Sequence, residues 1–232
     1  MRYKIIKEGI FLSRPNRFVA FVLIDGKEEK VHVKNTGRCR ELLAAGARVI
    51  LEEGQNPNRK TKYSLIAVWK GELLVNMDSQ APNKVAEEAL LQGKIREIGE
   101  VSFVKREARF GQSRLDFYLE SGDTKAFLEV KGVTLEQEGI CYFPDAPTSR
   151  GNKHMEELVE AVKNGYEAYV LFIIQMEGMH TFRTNRVMDP LFSEGVKKAK
   201  EAGVHILAYD CKVTPDSLVI GKKIPFIEVE YV

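Results

Sequence analysis

Residues 113–132 read Ser-Arg-Leu-Asp-Phe-Tyr-Leu-Glu-Ser-Gly-Asp-Thr-Lys-Ala-Phe-Leu-Glu-Val-Lys-Gly, and their alternation decides the fold. Two strand-like runs, 114–120 and 125–131, flank Ser121-Gly122-Asp123, a turn signal of the hairpin kind. Side chains alternate across a strand, so Arg114, Asp116, Tyr118 and Glu120 share one face, and Leu115, Phe117 and Leu119 the other. In the second run Phe127, Glu129 and Lys131 point one way and Ala126, Leu128 and Val130 the other. Paired as a hairpin, the runs bring Asp116, Glu129 and Lys131 onto one surface. Their neighbours are apolar enough for a sheet interior, where an unpaired charge is costly.

Charges written into such strands suit a defined chemistry. Two carboxylates offer hard oxygen ligands, and the Val130 carbonyl can add a third, a set that fits Mg²⁺ or Mn²⁺. Lys131 can hold a water beside the ion or steady charge developing on a phosphate. Asp, then Glu-x-Lys across a β-turn, resembles the core of the PD-(D/E)XK nuclease-like fold. The plain alternative is a half-exposed hairpin whose three charges only form ion pairs. An isolated motif of this kind does not choose between them; the surrounding sequence must.

At 232 residues the chain can bury one large core or two smaller ones. Net charge is +2, unevenly shared. Residues 1–82 carry 15 Lys/Arg against 9 Asp/Glu, or +6, and residues 83–232 carry 20 against 24, or −4. A basic module joined to an acidic one fits a nucleic-acid grip beside a carboxylate site. No apolar run reaches the ~18 residues of a membrane helix, and the N-terminus lacks a signal-peptide pattern. Cys39, Cys141 and Cys211 lack zinc or disulfide spacing and read as reduced thiols. The expectation is a cytoplasmic protein with no membrane partner; nothing in the sequence fixes an oligomeric state.

The first eighty residues read as short strands at 17–24, 29–33, 48–52, 63–69 and 72–76. Asp25-Gly26 and Lys70-Gly71 supply turns, and a short helix is expected over 38–45. Strands at this spacing suggest a five-stranded barrel of OB type. Arg14, Arg17, Lys34, Arg38, Arg40, Arg59, Lys60 and Lys62 cluster at its connections, with Phe11, Phe18 and Tyr63 close by. Such a set tracks a phosphate backbone and stacks bases; equally, it is solvated loop charge beside core aromatics.

Gln80-Ala81-Pro82-Asn83 reads as the linker, giving domains at 1–82 and 83–232. A helix over 84–98 follows, with Glu88 placed to turn inward as a third carboxylate or to sit in water beside Glu87. A strand at 102–106 precedes the central hairpin. Two prolines bar a regular element at 144–147. A helix over 152–164 is capped by Thr148 or Ser149, and its N-terminal amides with Arg150 and Lys153 can hold a phosphate. His154 and Glu157 share a helical face, either looking onto the metal site or paired to each other at the surface. A buried strand at 167–175, a helix at 190–202 and a strand at 204–209 complete a mixed sheet with helices on both faces.

Several blocks are similar to the sugar fermentation stimulation protein A family: residues 14–18 (Arg-Pro-Asn-Arg-Phe), 35–43, 59–63, 113–117, 129–135, 143–151 and Lys153-His154. They run in family order over nearly the whole chain. The resemblance implies an N-terminal OB-like β-barrel, a C-terminal PD-(D/E)XK nuclease-like three-layer α/β domain, DNA binding, and a link to sugar (maltose) fermentation. Carried over by position, Asp116, Glu129 and Lys131 match the nuclease-like triad, with Glu88 a weaker fourth. Gln175-Met176-Glu177-Gly178 departs from the Arg and Asp expected after the buried strand.

The expected function is a DNA-binding protein whose Mg²⁺ or Mn²⁺ site, held by Asp116, Glu129 and Glu88, serves phosphodiester hydrolysis. Arg150, Lys153 and His154 would contact phosphate or substrate. The partner is single- or double-stranded DNA, with RNA open. The alternatives are a non-enzymatic DNA-binding regulator of sugar metabolism and a hydrolase of nucleotides or other small phosphates. They differ in whether polymer binding survives loss of the carboxylates, and in whether polymer is bound at all.

Overall fold

The computed structural model describes residues 1–35, 37, 39–56 and 58–228. Its first six strands are β1 (Ile6–Asn16), β2 (Val19–Ile24), β3 (Lys27–Val33), β4 (Arg48–Glu53), β5 (Tyr63–Lys70) and β6 (Leu73–Asn76). They hydrogen-bond in the order β3-β2-β1-β4-β5-β6, and β3 also pairs in parallel with β5. That pairing closes β1 to β5 into a five-stranded barrel of OB type. Asp25 and Gly26 both take positive φ, 50° and 79°, as a tight hairpin turn requires.

Two expectations fail here. The stretch around Arg14 and Pro15, read as a connection, is the end of β1, where the ladder with β2 slips twice. A slipped ladder tolerates the missing proline N–H. The helix expected over 38–45 is absent among the described residues of that stretch. The Leu42 and Leu43 amides fold back on the Cys39 carbonyl, and Cys39 sits at φ 46°, outside the helical region.

The second domain continues with α1 (Ala81–Leu91), β7 (Phe103–Phe110), β8 (Ser113–Ser121), β9 (Thr124–Val133), β10 (Leu135–Gln137) and β11 (Ile140–Phe143). Then come α2 (Ser149–Lys163), β12 (Glu167–Ile174), β13 (Thr181–Thr184), α3 (Pro190–Glu201), β14 (His205–Thr214) and β15 (Ser217–Lys223). The main sheet runs β15-β14-β12-β9-β8-β7, with β9, β12 and β14 mutually parallel and the outer pairings antiparallel. α1 buries Val85, Ala89 and Leu90 against Phe117, Leu128 and Leu171 on one face. α2 and α3 bury Met155, Leu158, Phe192 and Val196 with Phe127, Val170 and Phe172 on the other. The result is the three-layer mixed sheet that the alternation implied.

Residues 80–83, read as a linker, instead open α1, with Ala81 and Pro82 buried in its first turn. A buried polar network joins the domains. Gln175 Nε2 donates to Asn76 Oδ1 (2.9 Å) and to the Asp78 carbonyl (3.1 Å), while Asn76 N donates to the Gln175 carbonyl (2.9 Å). The Tyr3 hydroxyl donates to Asp78 Oδ2 (3.2 Å) and accepts from Asn76 Nδ2 (2.9 Å). Gln175, the start of the departure from the family pattern, is therefore a clasp between domains. Cys39, Cys141 and Cys211 are free and buried. Among the described residues no helix is long and apolar enough to cross a membrane.

Candidate active site

β8 and β9 pair from Ser121↔Thr124 to Phe117↔Leu128, and there the ladder stops. β8 runs on against β7 to Ser113↔Phe110, while β9 runs on against β12 to Val133↔Ile174. The sheet thus parts at Asp116 and Glu129. A parted sheet leaves backbone amides to be satisfied, and Asp116 does so: its Oδ2 accepts from Val130 N at 2.8 Å. Its Oδ1 accepts from Asn83 Nδ2 at 2.8 Å, from the first turn of α1. Burial and the Glu129 charge raise the Asp116 carboxyl above its ordinary range, against the opposing pull of these two donors and Lys131.

Glu129 is only 3% exposed. Lys131 Nζ donates to its Oε1 at 2.6 Å, and His154 Nδ1 forms a very close hydrogen bond to the same atom. Burial alone would raise this carboxyl, but the His154 hydrogen bond and the Lys131 charge outweigh it and hold Glu129 low. Glu129 Oε2 is buried and meets no donor among the described residues.

Of the two readings of His154, facing the metal site or pairing with Glu157 at the surface, the structure takes the first: it lies on α2, 5% exposed and bonded inward to Glu129. Arg150 Nε reaches His154 Nε2 at 3.4 Å. With Nε2 accepting and Nδ1 facing a carboxylate, the ring proton belongs on Nδ1. Glu157 instead accepts from Ser113 Oγ at 2.6 Å. Thr148 caps α2 by accepting from Gly151 N (3.1 Å), and Arg150 and Lys153 are exposed at that end.

Glu88 follows the second of its two readings, the one in water, and not the inward one. It lies five residues beyond Asn83, about 140° around a 3.6-residue helix, and accepts instead from the Met1 amino group at 2.6 Å. Its side chain is 50% exposed. Among the described residues no group of three His, Cys, Asp or Glu side chains is arranged to hold a metal. Asn83, hidden in the supposed linker, is the site residue the sequence reading missed; its position at the start of an apolar helix facing β8 was the available signal.

The predicted nucleic-acid residues divide into two groups. Arg14 donates to the carbonyls of Arg17, Asn35 and Gly37 at 2.7–2.9 Å, fixing the loop. Lys34 is half-buried between Glu52 (2.8 Å) and Asp78 (3.3 Å). Arg59 donates to Ser64 Oγ at 2.6 Å, and Lys62 pairs with Glu53 at 3.4 Å. Arg17, Arg40 and Lys60 are exposed, and Arg17 lies 4.8 Å over the ring of Phe18, itself 46% exposed. Arg14, Arg17 and Arg40 line a groove of about 390 Å³ on the barrel. Arg38 lies outside the described residues.

Against known proteins, a family model described as "SfsA N-terminal OB domain" matches residues 12–77. A second, "Sugar fermentation stimulation protein RE domain", matches residues 80–217. A sugar fermentation stimulation protein homolog of Alkaliphilus oremlandii (strain OhILAs) is 58% identical over 236 residues, covering 100% of this chain and 99% of that one. Its counterpart in Desulfitobacterium hafniense (strain DSM 10664 / DCB-2) is 57% identical over 221 residues, covering 95% and 96%. The solved structure of Pyrococcus furiosus SfsA in complex with Ca²⁺ superposes with a TM-score of 0.89 at 28% identity, covering 98% of each chain. With both domains matched in order over nearly the whole length, the chain belongs to the sugar fermentation stimulation protein family.

Proposed function

We propose that the protein is a cytoplasmic, divalent-metal-dependent phosphodiesterase acting on DNA. The observation that carries this reading is the buried Glu129 Oε2, an acceptor without a donor among the described residues, beside the Asp116 carboxylate where the sheet parts. A buried acceptor left unmatched is costly, and a hard cation is the partner its chemistry suits. With Lys131 counted against Asp116 and Glu129, the cluster carries a net negative charge that a dication compensates. Asp116 and Glu129 would hold Mg²⁺ or Mn²⁺. The Ca²⁺ bound by the Pyrococcus furiosus relative is an ion of the same oxygen-seeking class.

When bound, the ion supplies Lewis acidity toward a phosphate oxygen and a lowered pKa for water. The chain's own residues do the rest. Lys131 orients the attacking water and faces the charge developing on the phosphate oxygens. His154, fixed by Arg150 on one nitrogen, locks Glu129 in place. Arg150 and Lys153 present cations to the flanking phosphate, and Arg17, Phe18 and Arg40 guide the strand along the barrel.

The test incubates single- and double-stranded DNA and RNA with Mg²⁺ or Mn²⁺, comparing wild type with Asp116→Ala and Lys131→Ala. Metal-dependent cleavage of DNA lost in both variants is expected. No cleavage, or equal cleavage by all three proteins, contradicts the enzymatic reading. Salt-sensitive DNA binding that survives both substitutions without any cleavage would favour a binding regulator.

A further inference from the structure

The carboxyl ends of β9 and β12 meet the barrel in a second cleft that the hydrolytic centre leaves unused. It measures about 340 Å³ and is lined by Asn35 and Gly37 from the barrel, Gly132 and Gln175 from the strand ends, and Asp145 and Thr148 from the loop before α2. This volume falls in the range of small-molecule sites, about 300–1,000 Å³. Clefts beyond the carboxyl ends of parallel strands are where α/β sheets bind ligands.

Its chemistry is one-sided. Among the described residues no lysine or arginine lines it, while the Asp145 carboxylate does. Burial raises that carboxyl above its ordinary range, and only its own backbone amide opposes the shift. Asp145 Oδ2 presses so close to Gly37 that a Cβ there would stand 2.8 Å away. Gln175 Oε1 likewise crowds Gly132, 2.6 Å from where a Cβ would lie. Side chains at either glycine would push these acceptors out of place. Phe143, Pro144 and Pro147 give the rest of the wall an apolar stretch, beside the hydroxyls of Ser79 and Thr134. A carboxylate repels phosphate, so an acceptor-rich edge beside an apolar wall suits a flat, neutral group bearing N–H donors.

The cleft also shares elements with the hydrolytic centre. Gly132 follows Lys131 on β9, Thr148 caps the helix bearing Arg150 and His154, and Pro82, which abuts Gly132, precedes Asn83, the donor to Asp116. Gly132 stands three residues beyond Glu129 on β9, about 10 Å along the strand, the span a bound strand would cover to place a base here.

We infer that the cleft between barrel and sheet receives one unpaired nucleobase of the bound strand, with guanine preferred because its adjacent N1–H and N2–H donors match the Asp145 carboxylate. The inference rests on the phosphodiesterase reading for its strand, but not for its binding preference. The test uses the full chain in EDTA, so that nothing is cleaved. Affinities are measured for GMP, AMP, CMP and TMP. They are also measured for single-stranded oligothymidylate carrying one central guanine, no substitution, or one abasic position, with wild type and Asp145→Asn. One guanine should tighten oligonucleotide binding roughly ten-fold over thymine, the scale of one bidentate base contact, and GMP should lead the mononucleotides. Asp145→Asn replaces one acceptor oxygen by a donor, so it should erase the guanine preference while the thermal unfolding curve stays in place. Equal affinity for all bases in wild type overturns the inference, as does a guanine preference unchanged in Asp145→Asn. A preference among mononucleotides without one among oligonucleotides overturns the placement of a strand base. Base preference with no cleavage in any metal breaks the phosphodiesterase reading alone; cleavage with no base preference breaks this inference alone.

Discussion

The barrel and the parted sheet use charge in opposite ways. In the barrel, most of the basic residues that dominate residues 1–82 are tied down: Lys34 between two carboxylates, Arg14 on three carbonyls, Arg59 on Ser64. At the sheet the charges are fewer, Glu129 is buried and Asp116 and Lys131 half-buried, and Glu129 Oε2 is left open among the described residues. A count of lysines and arginines therefore overstates what is free to meet a phosphate. A pair of carboxylates in an apolar strand understates what the core has been arranged to hold.

The comparison breaks first on activity. Asp116→Asn keeps an acceptor for Val130 but removes the charge, and should lower cleavage roughly 10³-fold, about 4 kcal/mol of barrier, with little change in thermal stability. An equal loss of stability would make Asp116 structural. Lys34→Met should act the other way. It leaves Asp78, whose side chain is 2% exposed, without its cation, and should cost about 3 kcal/mol of folding stability by denaturant titration. DNA affinity per folded molecule should hold.

Proton linkage separates the two carboxylates more finely. Glu129 is held low, so its contribution is full above the unfolded value of about 4.3 and fades as pH falls through its lower folded value. Asp116 is raised, so its contribution is full below the unfolded value of about 3.9 and fades as pH rises through its higher folded value. Metal-free melts from pH 3 to 6 should therefore show Glu129→Gln with a shallower acid loss than wild type. Asp116→Asn should gain on wild type as pH rises. Parallel curves for all three proteins would contradict both assignments. The smallest effect belongs to the free barrel cations. Neutralising Arg40 or Lys60 should each reduce the salt slope of DNA binding by about 0.7–0.9, with unfolding unchanged.

Period-two alternation made the hairpin legible: a hydrophobic face on Leu115, Phe117 and Leu119 fixes the opposite face of Asp116. The barrel's class was readable from turn chemistry, as at Asp25-Gly26, but its first strand, β1, was not among the five expected, and the expected fifth, 72–76, is β6 outside the closure. The three-residue β10 and the four-residue β11 and β13 were not readable, because so few positions give no period to detect. The supposed helix at 38–45 had helical composition, yet a Cys39 in the left-handed region overrode it. Glu88 has no apolar face to follow inward, because Leu91, three residues on, is 67% exposed and the helix ends there; Asn83 was lost because the helix start was read three residues late. Helical spacing left His154 open between the site and the surface because the bond that decides it, to Glu129, spans 25 residues. The Gln175 clasp, reaching across 99 residues to Asn76, was equally invisible.

The most direct test of the account is anomalous scattering from a crystal soaked in Mn²⁺. A peak between Asp116 and the free oxygen of Glu129, absent in Asp116→Asn crystals soaked alike, is the predicted result. Manganese bound elsewhere, or an Asp116–Glu129 gap empty at saturating Mn²⁺, would contradict it.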